Sequence, residues 1–337
     1  MTATLALDVG ATKVAYGFVD DSDPLTAHAT GVLPTQPDPA KFGARQAAGQ
    51  IAAAVRAALE QPDAPSDVVR VGVGAPGVID REGVVVHNGD TLPGWAGTDL
   101  NAVVRSELDV PVACHNDVRV WAFGEHLIGA GRTGSADLDR GRVLYVSLGT
   151  GVGGALVSDG ELAAGPTGTA GEISELVCAD FRGMADRAEN IASGNSLARY
   201  YNELSADPDH GRVEWRAWRE TDLRLPEILE RMRAGDALAR SIIEGNLAGL
   251  GRCLGALASG LDLSAIVLGG GVTGIGAEVT DPLIAGVREA ALAPNKTVPV
   301  LTSAFISDAP LVAAACFART VAGRDVAAGR PQHNTEE

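Results

Sequence analysis

Three short segments of this chain carry residue types suited to holding a phosphorylated ligand. The first is Asp8-Val9-Gly10-Ala11-Thr12-Lys13. A glycine lets the backbone approach an anion without a Cβ in the way, and the Thr12 hydroxyl and neighbouring N–H groups donate to phosphate oxygens. A carboxylate at the strand end, Asp8, suits Mg²⁺, directly or through water. The two-glycine, Lys-Ser/Thr spacing of a P-loop is missing, so the segment is also readable as an ordinary hairpin turn. The second segment, residues 149–154, packs Gly149, Gly151, Gly153, Gly154 and Thr150 into six positions. That density exceeds what a plain reversal needs, and two such turns could clasp one polyphosphate. The third is Asn116-Asp117, which follows an apolar run. Asp117 there suits the base that takes a hydroxyl proton during phosphoryl transfer. The same pair suits a helix N-cap, and the two roles are compatible.

A further cluster, Glu172, Glu175 and Glu189 with Ser193-Gly194, could bind a polyol through paired hydrogen bonds. In an acidic chain it is equally a solvated face.

The elements that must position these residues follow from hydrophobic periodicity. Residues 5–8 and 14–19 read as a hairpin, and 143–148 with 155–157 as a second hairpin of the same kind. Residues 40–60, with Ile51, Val55 and Leu59 at helical spacing, read as an amphipathic helix. Strands are expected at 68–73, 110–114, 265–268 and 298–304, and helices at 118–128, 281–292 and 310–322. Helical patterns dominate 189–260, residues 88–95 and 132–142 read as loops, and the tail from 323 reads as frayed. Strands and helices mix throughout, which predicts an α/β fold.

The chain has 337 residues, room for two domains and a sizeable core. Its net charge of −16 argues against a broad nucleic-acid surface. No basic leader or long apolar run is found, which predicts a cytoplasmic protein with no membrane span. The four cysteines, Cys114, Cys178, Cys253 and Cys316, are widely spaced and read as buried small hydrophobes in a reducing compartment.

Taken in order, these stretches resemble the ROK (repressor, open reading frame, kinase) family of sugar kinases, of the actin-like, ribonuclease-H-like ATPase fold. The matching stretches are residues 7–13, 72–80, 88–95, 112–117 with Gly124-Glu125, 147–155, 171–172, 189–194, 266–271 and 308–315. The resemblance implies a two-lobed α/β protein with its active site in the interlobe cleft. Residues 1–117, completed by the helix at 310–325, would form the smaller lobe, 118–309 the larger, and 326–337 a tail. It implies Asp117 as general base for transfer from ATP to the 6-hydroxyl of a hexose. Asp8, Gly10, Thr12 and Lys13 would form the first phosphate turn, with Asp8 near Mg²⁺. Gly149, Thr150, Gly151 and Gly153 would form the second, and Gly269, Gly270 and Gly271 would lie beside the adenosine. Asn88, Asn116, Asp117, Glu172 and Glu189 would bind the sugar, and a homodimer is the implied assembly.

The chain departs from the family pattern where many members carry a Gly-His pair and a cysteine-rich zinc segment. Ser174 and Glu175 stand in place of that pair, and Cys178 is the one thiol between Glu175 and Glu189. No zinc is therefore expected, and packing of Leu176, Phe181 and Met184 is expected to hold the segment. Glu175 would join Glu172 and Glu189 at the sugar. Three carboxylates there call for a positive charge, which motivates a cationic aminohexose such as kanosamine as an alternative to glucose or mannose. Two rivals have less support. A repressor would need a DNA-binding region ahead of Asp8. A catalytically silent sugar-binding regulator would be expected to have lost Asp8, Thr12, Asp117 or the 149–154 turn. With no basic run to track a polyphosphate, ATP is the expected donor.

Overall fold

The computed structural model describes residues 2–35, 44–88, 92, 94–133, 138, 140–304 and 309–327. The sequence readings that touch residues 40–43, 89–91, 93, 134–137, 139, 308 and the tail from 328 lie outside them. The chain forms two compact units. The first comprises residues 1–129, 164–169 and the C-terminal stretch from 305, and the second comprises 130–163 and 170–304.

The first unit begins with β1 (Ala3–Val9), β2 (Lys13–Asp20) and β3 (Ala27–Pro34), followed by α1 (Ala44–Leu59) and β4 (Val68–Ala75). A small hairpin of β5 (Val78–Ile79) and β6 (Val85–His87) leads to α2 (Leu100–Arg105), β7 (Val112–Asn116) and α3 (Asp117–Ile128). Its five-stranded sheet has the order β3-β2-β1-β4-β7. β1 is antiparallel to β2 and parallel to β4, and β4 is parallel to β7. β1 is apolar on both faces because it is central; Leu5, Leu7 and Val9 are fully buried. Ile51 and Val55 of α1 bury against the same core, as their spacing predicts.

The second unit carries α4 (Ala130–Thr133), β8 (Arg142–Leu148), β9 (Val152–Ser158), β10 (Glu161–Leu162), β11 (Val177–Ala179) and β12 (Ala185–Arg187). Helices α5 (Ala188–Ala192), α6 (Gly194–Ala206), α7 (Leu225–Arg233) and α8 (Ala237–Gly260) follow. Then come β13 (Ala265–Gly269), α9 (Ala277–Ala290) and β14 (Val300–Thr302). This sheet has the order β10-β9-β8-β13-β14. α8 is the spine of the unit: Ile242, Ile243, Leu247, Leu250 and Leu254 are all fully buried at helical spacing. Its Asp236 cap accepts from the Ala239 N–H at 3.0 Å.

The last helix, α10 (Ala309–Ala327), returns to the first unit and packs on β1, β4 and α3. Two expectations change here. The division falls after Gly129 rather than after Asp117, because α3 packs against α10 and β4. The helical pattern over 189–260 is interrupted at 207–224, which is irregular and held by ion pairs such as Arg216–Asp222. No helix of the described residues is long and apolar enough to cross a membrane.

Candidate active site

In the first unit, the β1–β2 turn closes where the Gly10 N–H donates to the Lys13 carbonyl at 2.8 Å. Residues 11–13 are exposed. Thr35, fully buried, fastens the turn from behind. Its N–H donates to the Thr12 carbonyl at 3.0 Å and its hydroxyl to the Gly10 carbonyl at 2.6 Å. Nothing in the spacing of the turn marks Thr35, because it lies beyond the end of β3.

Asp8 and Asp117 lie at the carboxyl ends of parallel strands. Asp8 is opposite Gly74 of β4, and Gly74 is opposite His115 of β7, two residues before Asp117. A Cβ on Gly74 would lie 3.5 Å from the Asp117 Cα. Burial, then the charge of Asp117, pushes the Asp8 carboxyl up to about 6, against the opposing pull of Lys13. Asn116 caps α3: its Oδ1 accepts from the Arg119 N–H at 3.2 Å, while its Nδ2 donates to the Gly77 carbonyl at 3.1 Å. The capping reading of the Asn116-Asp117 pair thus holds, with Asp117 as the first residue of the helix. Burial, then Arg119, pushes His115 down to about 4, so it is neutral at pH 7. Asn88 donates from Nδ2 to the Leu92 carbonyl at 2.8 Å.

In the second unit, a cavity of about 380 Å³ is lined by Gly149, Thr150, Gly194, Asn195, Trp218, Arg224 and Gly271 among others. A Cβ added at Gly149 or Gly271 meets no protein atom within 4 Å. Gly270 has φ +91°, and a Cβ there would lie 2.4 Å from the Leu148 carbonyl oxygen, so the turn requires glycine. Gly269 is instead the last residue of β13, opposite Ser147 of β8. The Arg224 guanidinium stacks 3.8 Å from the centre of the Trp218 ring. Trp218, Arg224 and Asn195 escape sequence analysis because an irregular loop brings the first two to a cavity that no motif defines.

The acidic cluster separates into different environments. Glu189 accepts from the Val152 N–H at 2.6 Å, directly on the β8–β9 turn beside Gly151. Burial raises its pKa and the Glu172 charge adds to this, while the Val152 N–H opposes both. Glu172 accepts from the Ser174 N–H at 3.1 Å. Glu175 pairs with Arg187 at 3.0 Å, with both side chains more than half exposed. The chain therefore supplies a cation beside Glu175 itself, a partner that charge counting along the sequence overlooks.

A model of the ROK family matches residues 4–321. The chain belongs to the ROK family. It is 28% identical over 293 residues to a glucokinase of Streptomyces coelicolor, covering 84% of this chain and 86% of that one. It is 27% identical over 331 residues to an N-acetylmannosamine kinase of Yersinia pestis, covering 94% and 98% of the two chains. Among solved structures, a ROK glucokinase of Streptomyces griseus in complex with glucose and AMPPNP superposes with a TM-score of 0.72 at 28% identity, covering 94% and 99%. The architecture is accordingly that of the ROK sugar kinases, in the actin-like ATPase class.

In this ROK chain, the segment between Glu175 and Glu189 is the β11–β12 hairpin, organised mainly by charge. Asp180 accepts from the N–H groups of Arg182 at 2.8 Å and Met184 at 2.9 Å. The Arg182 guanidinium binds Asp180 at 2.9 Å and the His210 carbonyl at 2.7 Å. Arg212 binds Asp186 at 2.5 Å. Leu176 and Phe181 pack on the core, but Met184 is 37% exposed, contrary to the expectation that it packs there. Among the described residues no three His, Cys, Asp or Glu side chains cluster to hold a metal ion.

Proposed function

We propose that this sugar kinase transfers the γ-phosphoryl group of ATP to the 6-hydroxyl of a neutral hexose, with Asp117 as general base. The observation that carries this reading is the carboxylate pair at the ends of β1 and β7, Asp8 and Asp117, separated by Gly74. Asp117 takes the hydroxyl proton as the sugar oxygen attacks phosphorus, and the bond to the leaving ADP breaks. Its place at the first turn of α3 stabilises the ionised carboxylate that a base requires. Asn88, Asn116, Glu172 and Glu189 are the proposed sugar ligands.

The residues present fit a nucleotide. Gly149 and Gly271 leave their Cβ space to the cavity, and the Trp218–Arg224 stack offers a planar surface for a purine. Each unit offers a turn suited to phosphate: Gly10, Thr12 and Lys13, exposed, in the first, and Gly149, Thr150, Gly151 and Gly153 in the second. Mg²⁺ bound with ATP neutralises charge on the transferring group. Asp8 fits it, because a desolvated carboxylate beside a second carboxylate gains from a cation.

A neutral hexose is favoured over kanosamine because Arg187 already balances Glu175. A cationic aminohexose would have to draw Glu175 away from Arg187. The deciding experiment is ADP release from Mg·ATP with glucose, mannose, glucosamine, kanosamine and N-acetylmannosamine, with polyphosphate as a second donor and Asp117→Asn as control. Glucose or mannose is expected to give the highest kcat/KM, with phosphate on carbon 6 by NMR. Glu175→Gln is expected to leave that order unchanged. Kanosamine in first place would overturn the neutral-hexose assignment, and no ADP release with any sugar would favour a silent regulator. The family-implied homodimer is testable by light scattering.

A further inference from the structure

The cavity of the second unit has an aromatic wall, and that wall is held in place by the chain on both sides of it. Trp218 is half-buried in the irregular stretch at 207–224. Just before it, the Arg216 guanidinium joins Glu203 of α6 to Asp222, donating to Asp222 at 2.6 and 2.9 Å. Just after it, the Arg219 N–H donates to the same Asp222 carboxylate at 2.8 Å. Asn202 of α6 then grips Leu223 twice: its Nδ2 donates to the Leu223 carbonyl at 2.8 Å, and its Oδ1 accepts from the Leu223 N–H at 2.9 Å. The next residue, Arg224, caps α7 with its N–H on Glu227 Oε2 at 2.7 Å. Its guanidinium makes no hydrogen bond to the described residues, and the contact it has is the Trp218 ring, 3.8 Å from the ring centre. The flat, cationic wall is therefore built without a ligand.

The rest of the lining is poor in groups that read the edge of a base. Among the described residues no carboxylate lines the cavity; its polar side chains are Thr150, Asn195, Trp218 and Arg224. Thr150 belongs to the turn suited to phosphate. The Asn195 side chain makes no hydrogen bond to the described residues, so nothing fixes which of its amide atoms faces the cavity. One orientation donates to the O6 of guanine or hypoxanthine, and a half-turn accepts from the N6 amine of adenine.

We propose that the cavity selects its nucleotide by stacking on the Trp218–Arg224 wall and not by the hydrogen-bond pattern of the base edge, so that GTP and ITP serve as phosphoryl donors alongside ATP. This rests on the reading of the cavity as the nucleotide site. The transfer keeps the same balance for each donor. The sugar oxygen bonds to the γ-phosphorus, the bond to the leaving nucleoside diphosphate breaks, and the hydroxyl proton passes to the base. Stacking on an aromatic or guanidinium plane strengthens binding by about 5–150-fold and is open to any base face. Adenine, guanine and hypoxanthine share the two-ring face and differ only in edge groups. A site built on edge hydrogen bonds instead rejects the partner that cannot make them by about 10⁴-fold.

The test measures nucleoside diphosphate release by the full chain with Mg²⁺, the best hexose of the panel above and, in turn, ATP, GTP, ITP, CTP and UTP. Calorimetric titration of each triphosphate without sugar runs beside it. ATP, GTP and ITP are expected to agree within about tenfold in kcat/KM and in Kd, with CTP and UTP, which have one ring to stack, weaker than all three. Trp218→Leu is expected to raise the KM of the three purine donors by the same factor, roughly tenfold, with kcat kept. Arg224→Met, which keeps an apolar contact and loses the cation, is expected to act in the same way and by less. ATP bound and used with GTP or ITP more than tenfold poorer would overturn the proposal and leave the nucleotide site standing. A pyrimidine donor as good as ATP would overturn the stacking basis. No triphosphate bound or used would overturn both the proposal and the site. The wild-type series decides alone if a variant fails to fold.

Discussion

The two five-stranded sheets have the same plan and different chemistry. In each, an antiparallel hairpin forms the middle, an antiparallel strand flanks one side and two parallel strands flank the other. The residue one before the end of the first hairpin strand is Asp8 in one sheet and Ser147 in the other. Each faces a glycine of the next parallel strand, Gly74 or Gly269. Where the first sheet places an acid with a second acid near it, the second places a serine, two residues before the cavity-lining Gly149. A shared topology thus fixes where strand ends converge, and one side chain at the same register decides whether that end carries charge.

The largest effect that would test this division is Asp117→Asn. It is expected to lower kcat by about 10²–10⁴-fold with the KM for ATP nearly unchanged, measured by coupled ADP release. Gly270→Ala should do the reverse. Its Cβ meets the Leu148 backbone at a positive φ, so a loss of roughly 3 kcal/mol in urea unfolding and a raised KM for ATP are expected. If both variants acted on kcat alone, the contrast between the sheets would fail.

Asp8→Asn tests the charged end through stability. The folded carboxyl titrates at about 6 against an ordinary value of 3.8, so the folded state holds the proton more tightly. The cost of ionising Asp8 is absent below about pH 4, grows as pH rises through 6 and is constant above. Asn removes that cost, so the variant should be more stable than the parent by up to about 3 kcal/mol at pH 8 and no more stable at pH 4, by urea unfolding at both pH values. The smallest effect is Thr35→Val. Loss of the bond to the Gly10 carbonyl should cost about 1 kcal/mol and loosen the first turn alone, read by hydrogen exchange at residues 10–13.

What the sequence reveals here is local. The hairpins at 3–20 and 142–158 are legible because a dense apolar strand, a Gly/Thr turn and a second strand follow one another directly. The same holds for Asn116, whose capping role needs only α3. Thr35, Trp218 and Arg224 are invisible because each reaches its place through irregular chain or from a neighbouring strand. The balance of Glu175 by Arg187 is hidden for a related reason: a β-hairpin folds the arginine back twelve residues. The fully buried Asn246 joins the Phe181 N–H at 2.9 Å to the Ile191 carbonyl at 3.0 Å from the middle of an apolar helix, where its pattern position looks like an error.

Helix α10 gives the chain an order of assembly. Ala313, Ala314 and Ala315 are fully buried in the unit whose first strand is residues 3–9. During synthesis the ribosome releases β1 and β4 long before the helix that covers them. The first unit therefore waits with an open apolar face while the second unit, residues 130–163 and 170–304, is made. The chain that lines the cavity at Gly149 and Gly271 is thus synthesised before α10, which covers β1 and β4.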